Sequence, residues 1–255
     1  MKIRGERECK ECGTRWSYYE TGSVGCPACG SLHSVGVGDR NEHTDLQVTF
    51  DLTAIRNAID DQPVGDLAER AREECREYVR RRGFVNAGTL RGLDDDYLAA
   101  NELLHVADIV RREIDLEERE ELYFLSLLRD ADGGGPRSDG GQRPPAAEVP
   151  PGLRSARGLA AANAVRDYRR DIRTWAEDRD LTTAERGALE TLGEHVTRIR
   201  MLDGDVDPRT ADRLIEAARD LANGLCGDEL AFTRAQDRLD DLEFGGGKAD
   251  GRFGD

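Results

Sequence analysis

The sequence predicts a mainly α-helical protein with a small β-hairpin unit at its N-terminus. Three observations support this fold class. Cysteine, glycine and aromatic residues are concentrated in residues 1–43, segments with helical periodicity fill most of the remaining chain, and a Gly- and Pro-rich segment separates two of them. At 255 residues, the chain is long enough for one large domain or two small ones.

The N-terminal unit contains four cysteines in two C-x-x-C pairs. Cys9 and Cys12 form the first pair and Cys26 and Cys29 the second, with thirteen residues between the pairs. A glycine follows each pair and tolerates the positive φ that such a turn needs. Two such turns, brought together by a hairpin, complete a tetrahedral thiolate site. The intervening TRWSYYETGSVG is predicted to supply that hairpin.

This spacing predicts a zinc ribbon over residues 1–43 with one structural Zn²⁺. All four ligands are thiolates, so the site is closed and has no position for water or substrate. Iron in the same site, with rubredoxin-like electron transfer, is the alternative. We assign no ligand role to three further residues: His33 is expected at the surface, and Cys75 and Cys226 are expected to be small buried residues.

Residues 44–129 and 153–243 are predicted to form two bundle-type helical segments of about four helices each. In residues 64–79, apolar side chains recur at intervals of three and four, which predicts one buried stripe. A second helix is expected from Leu93 to Ile114, and Asp115 is expected to cap the next one.

The second helical segment has the same kind of pattern. Residues 159–175 repeat the apolar periodicity. Thr182 and Glu185 have capping-box spacing, and Asp207 precedes Pro208 as a predicted N-cap.

Residues 130–152 are predicted to be a flexible linker because they contain five of the eight prolines and many glycines. A random coil of this length has a mean reach of about 25 Å, so the flanking helical segments could still pack together. Residues 244–255 are predicted to be a disordered tail.

The chain is strongly acidic, with 52 acidic and 37 basic residues and a net charge of −15, and only three of the basic residues are lysine. This balance is typical of salt-loving archaea, where salt screens self-repulsion. A GC-rich genome, whose codons favour Asp, Glu and Arg, is the alternative. No apolar run approaches the ~18 residues of a membrane span and no signal-peptide core is visible, so a cytoplasmic location without membrane contact is expected.

The ribbon also contains the candidate partner-binding residues. The six basic and six acidic side chains of residues 1–43 give this unit no net charge. The helical segments are predicted to lack the basic stripe that DNA binding needs. Two interpretations of these cations and aromatic residues stay open. They form a face that contacts a partner or stacks on bases, or the cations offset the thiolate charge while the aromatic residues cover the small core. The residues concerned are Arg4, Arg7, Lys10, Arg15, Trp16, Tyr18 and Tyr19.

Alternation along a strand predicts that Trp16 and Tyr18 share one side of the hairpin and that Tyr19 lies on the other. Because so small a unit has little else to bury, Trp16 is expected mainly in the core and Tyr18 at its exposed rim.

No catalytic constellation is visible, so we expect a protein that is not an enzyme. Glu102 and His105 have the E-x-x-H spacing of ferritin-like diiron sites, but such a site needs a second E-x-x-H. Leu192 stands three residues before His195, where that second motif would need an acid. The sequence also lacks a Gly-rich phosphate loop after a strand and a nucleophile elbow.

A ribbon followed by two helical segments in an acidic, lysine-poor chain resembles uncharacterised haloarchaeal proteins that carry a TFIIB-type zinc ribbon. The specific match covers residues 1 to about 40. In transcription factor B the ribbon contacts RNA polymerase, so the resemblance implies a protein partner linked to the transcription machinery. The helical segments depart from that factor's cyclin repeats, which have five helices each.

We consider three hypotheses for the function. The first is a non-enzymatic zinc-ribbon adaptor with a protein or nucleoprotein partner. The second is a nucleic-acid-binding regulator that uses the basic and aromatic ribbon face. The third is a helical enzyme with a structural ribbon. The sequence predicts no oligomeric state.

Overall fold

The computed structural model describes residues 1–113, 115–134 and 141–244. Over these residues the protein is mainly α-helical, with small antiparallel sheets. Its helices are α1 (Tyr18–Thr21), α2 (Thr53–Arg56), α3 (Val64–Arg81), α4 (Asp95–Val110), α5 (Glu118–Asp130), α6 (Arg154–Ala176), α7 (Thr183–Met201), α8 (Pro208–Leu225) and α9 (Glu229–Phe244). Its strands are β1 (Lys2–Ile3), β2 (Glu6–Cys9), β3 (Arg15–Ser17), β4 (Ser34–Val37), β5 (Asn41–Glu42), β6 (Val85–Asn86) and β7 (Thr89–Leu90). We call residues 1–43 the ribbon and residues 44–244 the helical body.

The ribbon is built on a three-stranded antiparallel sheet in the order β3-β2-β4. Arg7 in the central strand lies opposite Trp16 on one side and Gly36 on the other. A second pairing, of β1 with β5, brings the two ends of the ribbon together. The first cysteine pair lies in the turn between β2 and β3, with Cys9 as the last residue of β2, and the second pair lies between α1 and β4.

The predicted hairpin is wrong in its placement. Strands β2 and β3 flank the first cysteine pair, and the chain leaves the sheet after Ser17 instead of continuing as a strand. Tyr18, expected beside Trp16 in a strand, begins the helical turn α1, which ends at Gly22 with a φ of 62°. The Tyr18 N–H donates to Gly5 O at 2.7 Å, so the backbone pairing extends one residue beyond β3 before the helical turn begins.

One hydrophobic cluster extends through the whole helical body. It contains buried residues of the first predicted helical segment, such as Leu103 in α4, and of the second, such as Val165 in α6. The two predicted segments therefore share a single core. None of the described helices is long and apolar enough to cross a membrane.

The apolar stripe predicted for residues 64–79 is confirmed in α3. Its buried side chains are Leu67, Ala68, Ala71, Cys75 and Tyr78. These positions recur every three or four residues, so they lie on the helix face that packs into the core.

Two of the three predicted helix caps are confirmed. The Thr182 side chain accepts from Glu185 N–H at 3.2 Å and the Glu185 carboxylate accepts in return from Thr182 N–H at 2.6 Å. Asp207 caps α8 and accepts from Arg209 N–H at 2.8 Å.

The cap predicted at Asp115 is wrong. Helix α5 begins at Glu118, and Glu120 accepts from the Glu117 N–H at 3.2 Å. This bond places the N-cap at Glu117, two residues after the predicted one. In the preceding helix, α4 covers Asp95–Val110, and Ile114 lies outside the described residues.

Part of the segment predicted to be a linker lies against the helical body. Residues 141–153 contain two 3-10 turns, Ala146–Glu148 and Pro151–Leu153. The Gly141 N–H donates to the Asp96 carboxylate in α4. Residues 135–140 and the predicted tail beyond residue 244 lie outside the described residues. The predicted domain boundaries stay predictions.

Candidate metal centre

Two turns with the same backbone geometry present the four cysteines. Gly13 N–H donates to Cys9 O at 3.1 Å, and Gly30 N–H donates to Cys26 O at 2.9 Å. The two glycines have φ values of 74° and 73°, a left-handed conformation that costs glycine little. The sequence predicted this role for the glycine after each pair, and the prediction is confirmed.

The four sulfur atoms lie within 4.8 Å of one another. The Sγ atoms of Cys9 and Cys29 are 3.6 Å apart, as are those of Cys12 and Cys26. A tetrahedral site with metal–sulfur bonds of about 2.3 Å has sulfur–sulfur edges of about 3.8 Å. All four side chains are free cysteines. Their arrangement could therefore hold one metal ion with a complete set of four ligands.

In each turn the first cysteine is buried and the second is exposed. Cys9 and Cys26 are buried, whereas Cys12 and Cys29 are exposed. The Cys12 Sγ lies 3.2 Å from the Thr14 hydroxyl, and hydrogen bonds with the Thr14 side chain and backbone lower the pKa of Cys12 to about 6. A thiolate at neutral pH is the form that binds a metal ion.

Trp16 closes the ribbon beneath the cysteines. Its side chain is only 7% exposed and packs with Cys9 and Cys26. The indole Nε1 donates to Ser23 O at 2.9 Å, which fixes the loop that leads to the second turn. The prediction that Trp16 belongs to the core is confirmed, and Tyr18 is half-buried.

A family model matches residues 1–239, almost the whole described chain. The chain belongs to DUF7117, a family of unknown function. The match includes the ribbon and nearly all of the helical body, so both parts belong to one family unit. No curated protein and no solved structure matches the chain.

The basic residues predicted to bind a partner are only partly available on the surface of this DUF7117 protein. Arg4, Lys10 and Arg15 are exposed, and Arg15 forms an ion pair with Glu8 at 2.7 Å. Arg7 is half-buried, and its Nε donates to Ser34 Oγ at 3.0 Å.

The Tyr19 side chain is buried inside the ribbon, and its backbone carbonyl accepts from Asn86 Nδ2 of the helical body at 3.5 Å. It is buried, its hydroxyl donates to Ile3 O at 2.7 Å, and its ring packs edge-on against His43 at 5.0 Å. A Cβ at Gly5 would lie 2.2 Å from the Tyr19 ring, so this contact requires glycine there. With Trp16 and Tyr19 both buried, Tyr18 is the one predicted aromatic residue of this face that is partly accessible.

The other candidate ligands lie apart from the four cysteines. His33 is exposed and contacts Glu11 at 3.1 Å, as expected for a surface residue. Cys75 is buried, which confirms the prediction, but Cys226 is exposed, so that part of the prediction is wrong. Cys226 follows the last turn of α8, where its side chain has left the buried face of the helix.

The E-x-x-H pair has structural roles. Glu102 is fully buried, accepts from the Tyr123 hydroxyl, and accepts from Arg157 Nη1 at 2.6 Å. His105 Nε2 lies 3.0 Å from Asn163 Nδ2, and burial lowers the pKa of His105 to about 4. Among the described residues, neither side chain belongs to a group that could hold a metal ion.

The sequence reasoning overlooked three exposed apolar side chains on the ribbon. Val24 is 45% exposed, Leu32 73% and Val35 37%. The Ser34 hydroxyl donates to Val24 O at 2.8 Å, which brings Val24 beside the strand that carries Val35. The signal in the sequence was weak, since single apolar residues between glycines and serines do not show whether they are buried.

Proposed function

We propose that this DUF7117 protein is a non-enzymatic zinc-ribbon protein that docks a protein or nucleoprotein partner through its ribbon. One structural Zn²⁺ is held by Cys9, Cys12, Cys26 and Cys29. The observation that carries the proposal is the group of four sulfurs, whose spacing suits a closed tetrahedral site. A closed site stabilises a fold and leaves no position for a reacting molecule.

Zinc is favoured over iron because structural sites of four cysteines in paired turns are typical of zinc ribbons. The bound ion supplies cross-linking between the two turns, and the chain supplies four thiolates. Elemental analysis of the protein purified from its native host tests this choice. One zinc per chain supports it, and iron as the main metal would favour the electron-transfer alternative.

Exposed apolar side chains beside exposed cations support a protein partner. Val24, Leu32 and Val35 are accessible on the ribbon, and Arg4, Lys10 and Arg15 are accessible on the same small unit. Protein interfaces combine an apolar centre with a polar rim. Since Trp16 and Tyr19 are buried, base stacking by the ribbon has less support than protein docking. The resemblance to TFIIB-type ribbons suggests transcription machinery as the partner.

A pulldown from native lysate tests the docking role, with a double variant that makes the ribbon surface polar. We expect Val24→Ser together with Leu32→Ser to lose a partner that the unchanged protein retains after nuclease treatment, because apolar contacts carry such interfaces. Mass spectrometry then shows whether RNA polymerase subunits are among the retained proteins.

The matched control changes two exposed apolar residues of the helical body, Met201→Ser and Leu230→Ser, which are 80% and 74% exposed. This control should keep the partner, and all variants should keep their metal. Equal capture by the ribbon variant, or release of every partner by nuclease, would contradict docking through the ribbon.

A further inference from the structure

Four arginines form a stripe along α6. Arg166, Arg169, Arg170 and Arg173 are spaced i, i+3, i+4 and i+7, so they share one face of the helix. Together they line an open cleft of about 450 Å³. The prediction that the helical segments lack a basic stripe is therefore wrong. It rested on the net charge of whole segments, whereas the helix gathers its cations on one face.

Within the described ranges, two of these arginines form no ion pair. Asp167 lies 3.1 Å from Arg166 and 3.3 Å from Arg170, and Arg170 also lies 3.4 Å from Asp171. Among the described residues, Arg169 and Arg173 form no ion pair. The Arg169 Nε donates instead to the Leu189 carbonyl in α7 at 2.6 Å, and Glu190 acts on its charge without forming an ion pair.

Arg169 is held in place by the neighbouring helix. A Cβ at Gly193 in α7 would lie 2.6 Å from the Arg169 guanidinium carbon, so glycine there gives the side chain its space. Burial and the nearby Arg173 lower the pKa of Arg169. The stripe thus keeps like charges close together at an energetic cost that a bound anion would offset.

The lining of the cleft indicates what kind of anion it suits. Besides the four arginines it contains Thr174, Asp167 and Glu177, all of them polar or charged. A protein partner would need an apolar centre, which this cleft lacks. Unpaired bases would need aromatic rings to stack on, and the cleft has none. The cleft therefore suits a ligand that binds through a regular series of negative charges.

The shape of the stripe favours an extended polyanion over a single small one. From Arg166 to Arg173 the helix rises about 10 Å, so the four cations lie along a line and do not converge on one point. One strand of duplex DNA places phosphates about 3.4 Å apart along its axis. The stripe therefore spans about three phosphate steps of one strand along the duplex axis.

We propose that the α6 cleft binds the phosphodiester backbone of double-stranded DNA without sequence specificity. The site lies on the helical body and is independent of the ribbon proposal. It places a local excess of positive charge on a chain with a net charge of −15. The acidic remainder repels DNA, so binding is confined to this face and depends strongly on salt.

The test is fluorescence anisotropy of a labelled duplex of about 20 base pairs, titrated with the full chain at several salt concentrations. We expect the logarithm of the binding constant to fall with the logarithm of salt with a slope of about −3. The double variant Arg166→Gln with Arg173→Gln should bind at least about tenfold more weakly and lose about two units of slope. Arg170 still pairs with Asp167 in this variant.

The matched control removes the same charge from α8 by Arg209→Gln with Arg213→Gln, two exposed arginines outside the cleft. It should keep the unchanged protein's slope. Circular dichroism over the same salt range shows that each protein stays folded. Arg173→Gln alone, which removes no ion pair among the described residues, should lose about one unit of slope.

Three results would overturn the proposal. The first is no salt-dependent binding of the duplex by the folded protein, and the second is equal weakening by the cleft variant and the control. The third is binding of polyglutamate or pyrophosphate to the cleft with no binding of the duplex, which would assign the arginines to an acidic protein segment or to a small anion.

Discussion

The ribbon and the helical body are stabilised in different ways. The hydrophobic cluster of the ribbon consists of Cys9, Trp16 and Cys26, so two of its three members belong to the candidate metal centre. The cluster of the helical body runs from Leu52 to Leu242 and draws on helices α3 to α9. A unit as small as the ribbon buries too little apolar surface to fold alone, and in the proposed function a metal ion bound by the four cysteines supplies the difference. The body obtains its stability from apolar burial.

The two regions meet through hydrogen bonds more than through a shared apolar core. The Gly88 N–H of the body donates to Glu42 O of the ribbon at 2.8 Å, and Asn86 Nδ2 of the body donates to Tyr19 O at 3.5 Å. On the ribbon side, Tyr19 packs against His43. Such a junction orients the ribbon but does not extend the body's core into it. We therefore expect the ribbon to unfold when the metal ion is removed, while the helical body remains folded.

Two buried cysteines, one in each region, allow a test of whether the ribbon and the helical body are stabilised in different ways. Cys26 is 4% exposed in the ribbon and Cys75 is fully buried in α3. Cys26→Ser should abolish stoichiometric metal binding and unfold the ribbon, since the metal contributes on the order of 10 kcal/mol to such sites. Cys75→Ser should lower the body's stability by about 1–3 kcal/mol and leave the metal in place. Elemental analysis and urea unfolding measure the two effects.

Metal retained by Cys26→Ser would show that the remaining three cysteines suffice. Metal lost from Cys75→Ser would show that the ribbon depends on the body's packing. Either result would contradict the separation of the two regions.

Two tryptophans with equal exposure test the same difference between the regions, with a smaller expected loss of stability. Trp16 and Trp175 are each 7% exposed. Trp175 packs with Val85 and Ala176 in the body, and the Arg179 guanidinium lies 3.8 Å from its ring. Either change to alanine should cost about 3–5 kcal/mol in its own region. Only Trp16→Ala should also weaken metal binding, because only that side chain supports the cysteines.

A metal-binding titration with each variant, together with thermal unfolding, separates these outcomes. If Trp16→Ala kept full metal affinity, Trp16 would be a surface contact and not the core of the ribbon. If Trp175→Ala lost metal affinity as well, the two regions would fold as one unit.

The parts of the structure that the sequence predicted correctly depend on short-range patterns. The apolar spacing in α3, the capping box of Thr182 and Glu185, and the paired cysteine turns each involve residues close in sequence. The errors have the opposite origin. Tyr18 begins a helical turn where a strand was predicted, and the ring of the next residue, Tyr19, packs against His43, a residue distant in sequence.

Long-range contacts also explain what the sequence left out of the candidate site and its surroundings. The Arg157 partner of Glu102 stands 55 residues away in the chain, so the E-x-x-H spacing alone gave no sign of an ion pair. The exposure of Leu32 depends on the fold of the ribbon. The arginine stripe of α6 was present as periodicity in the sequence, and it became visible once positions were grouped by helix face instead of summed by segment.

Hydrogen exchange measured with and without a strong chelator tests the central claim most directly. Mass spectrometry follows backbone protection along the chain while elemental analysis records metal content in the same samples. The account predicts that metal removal abolishes protection in residues 1–43 and leaves protection in α3 to α9 close to its original level. Protection that stays in the ribbon without metal, or falls together in the ribbon and the helices, would contradict it.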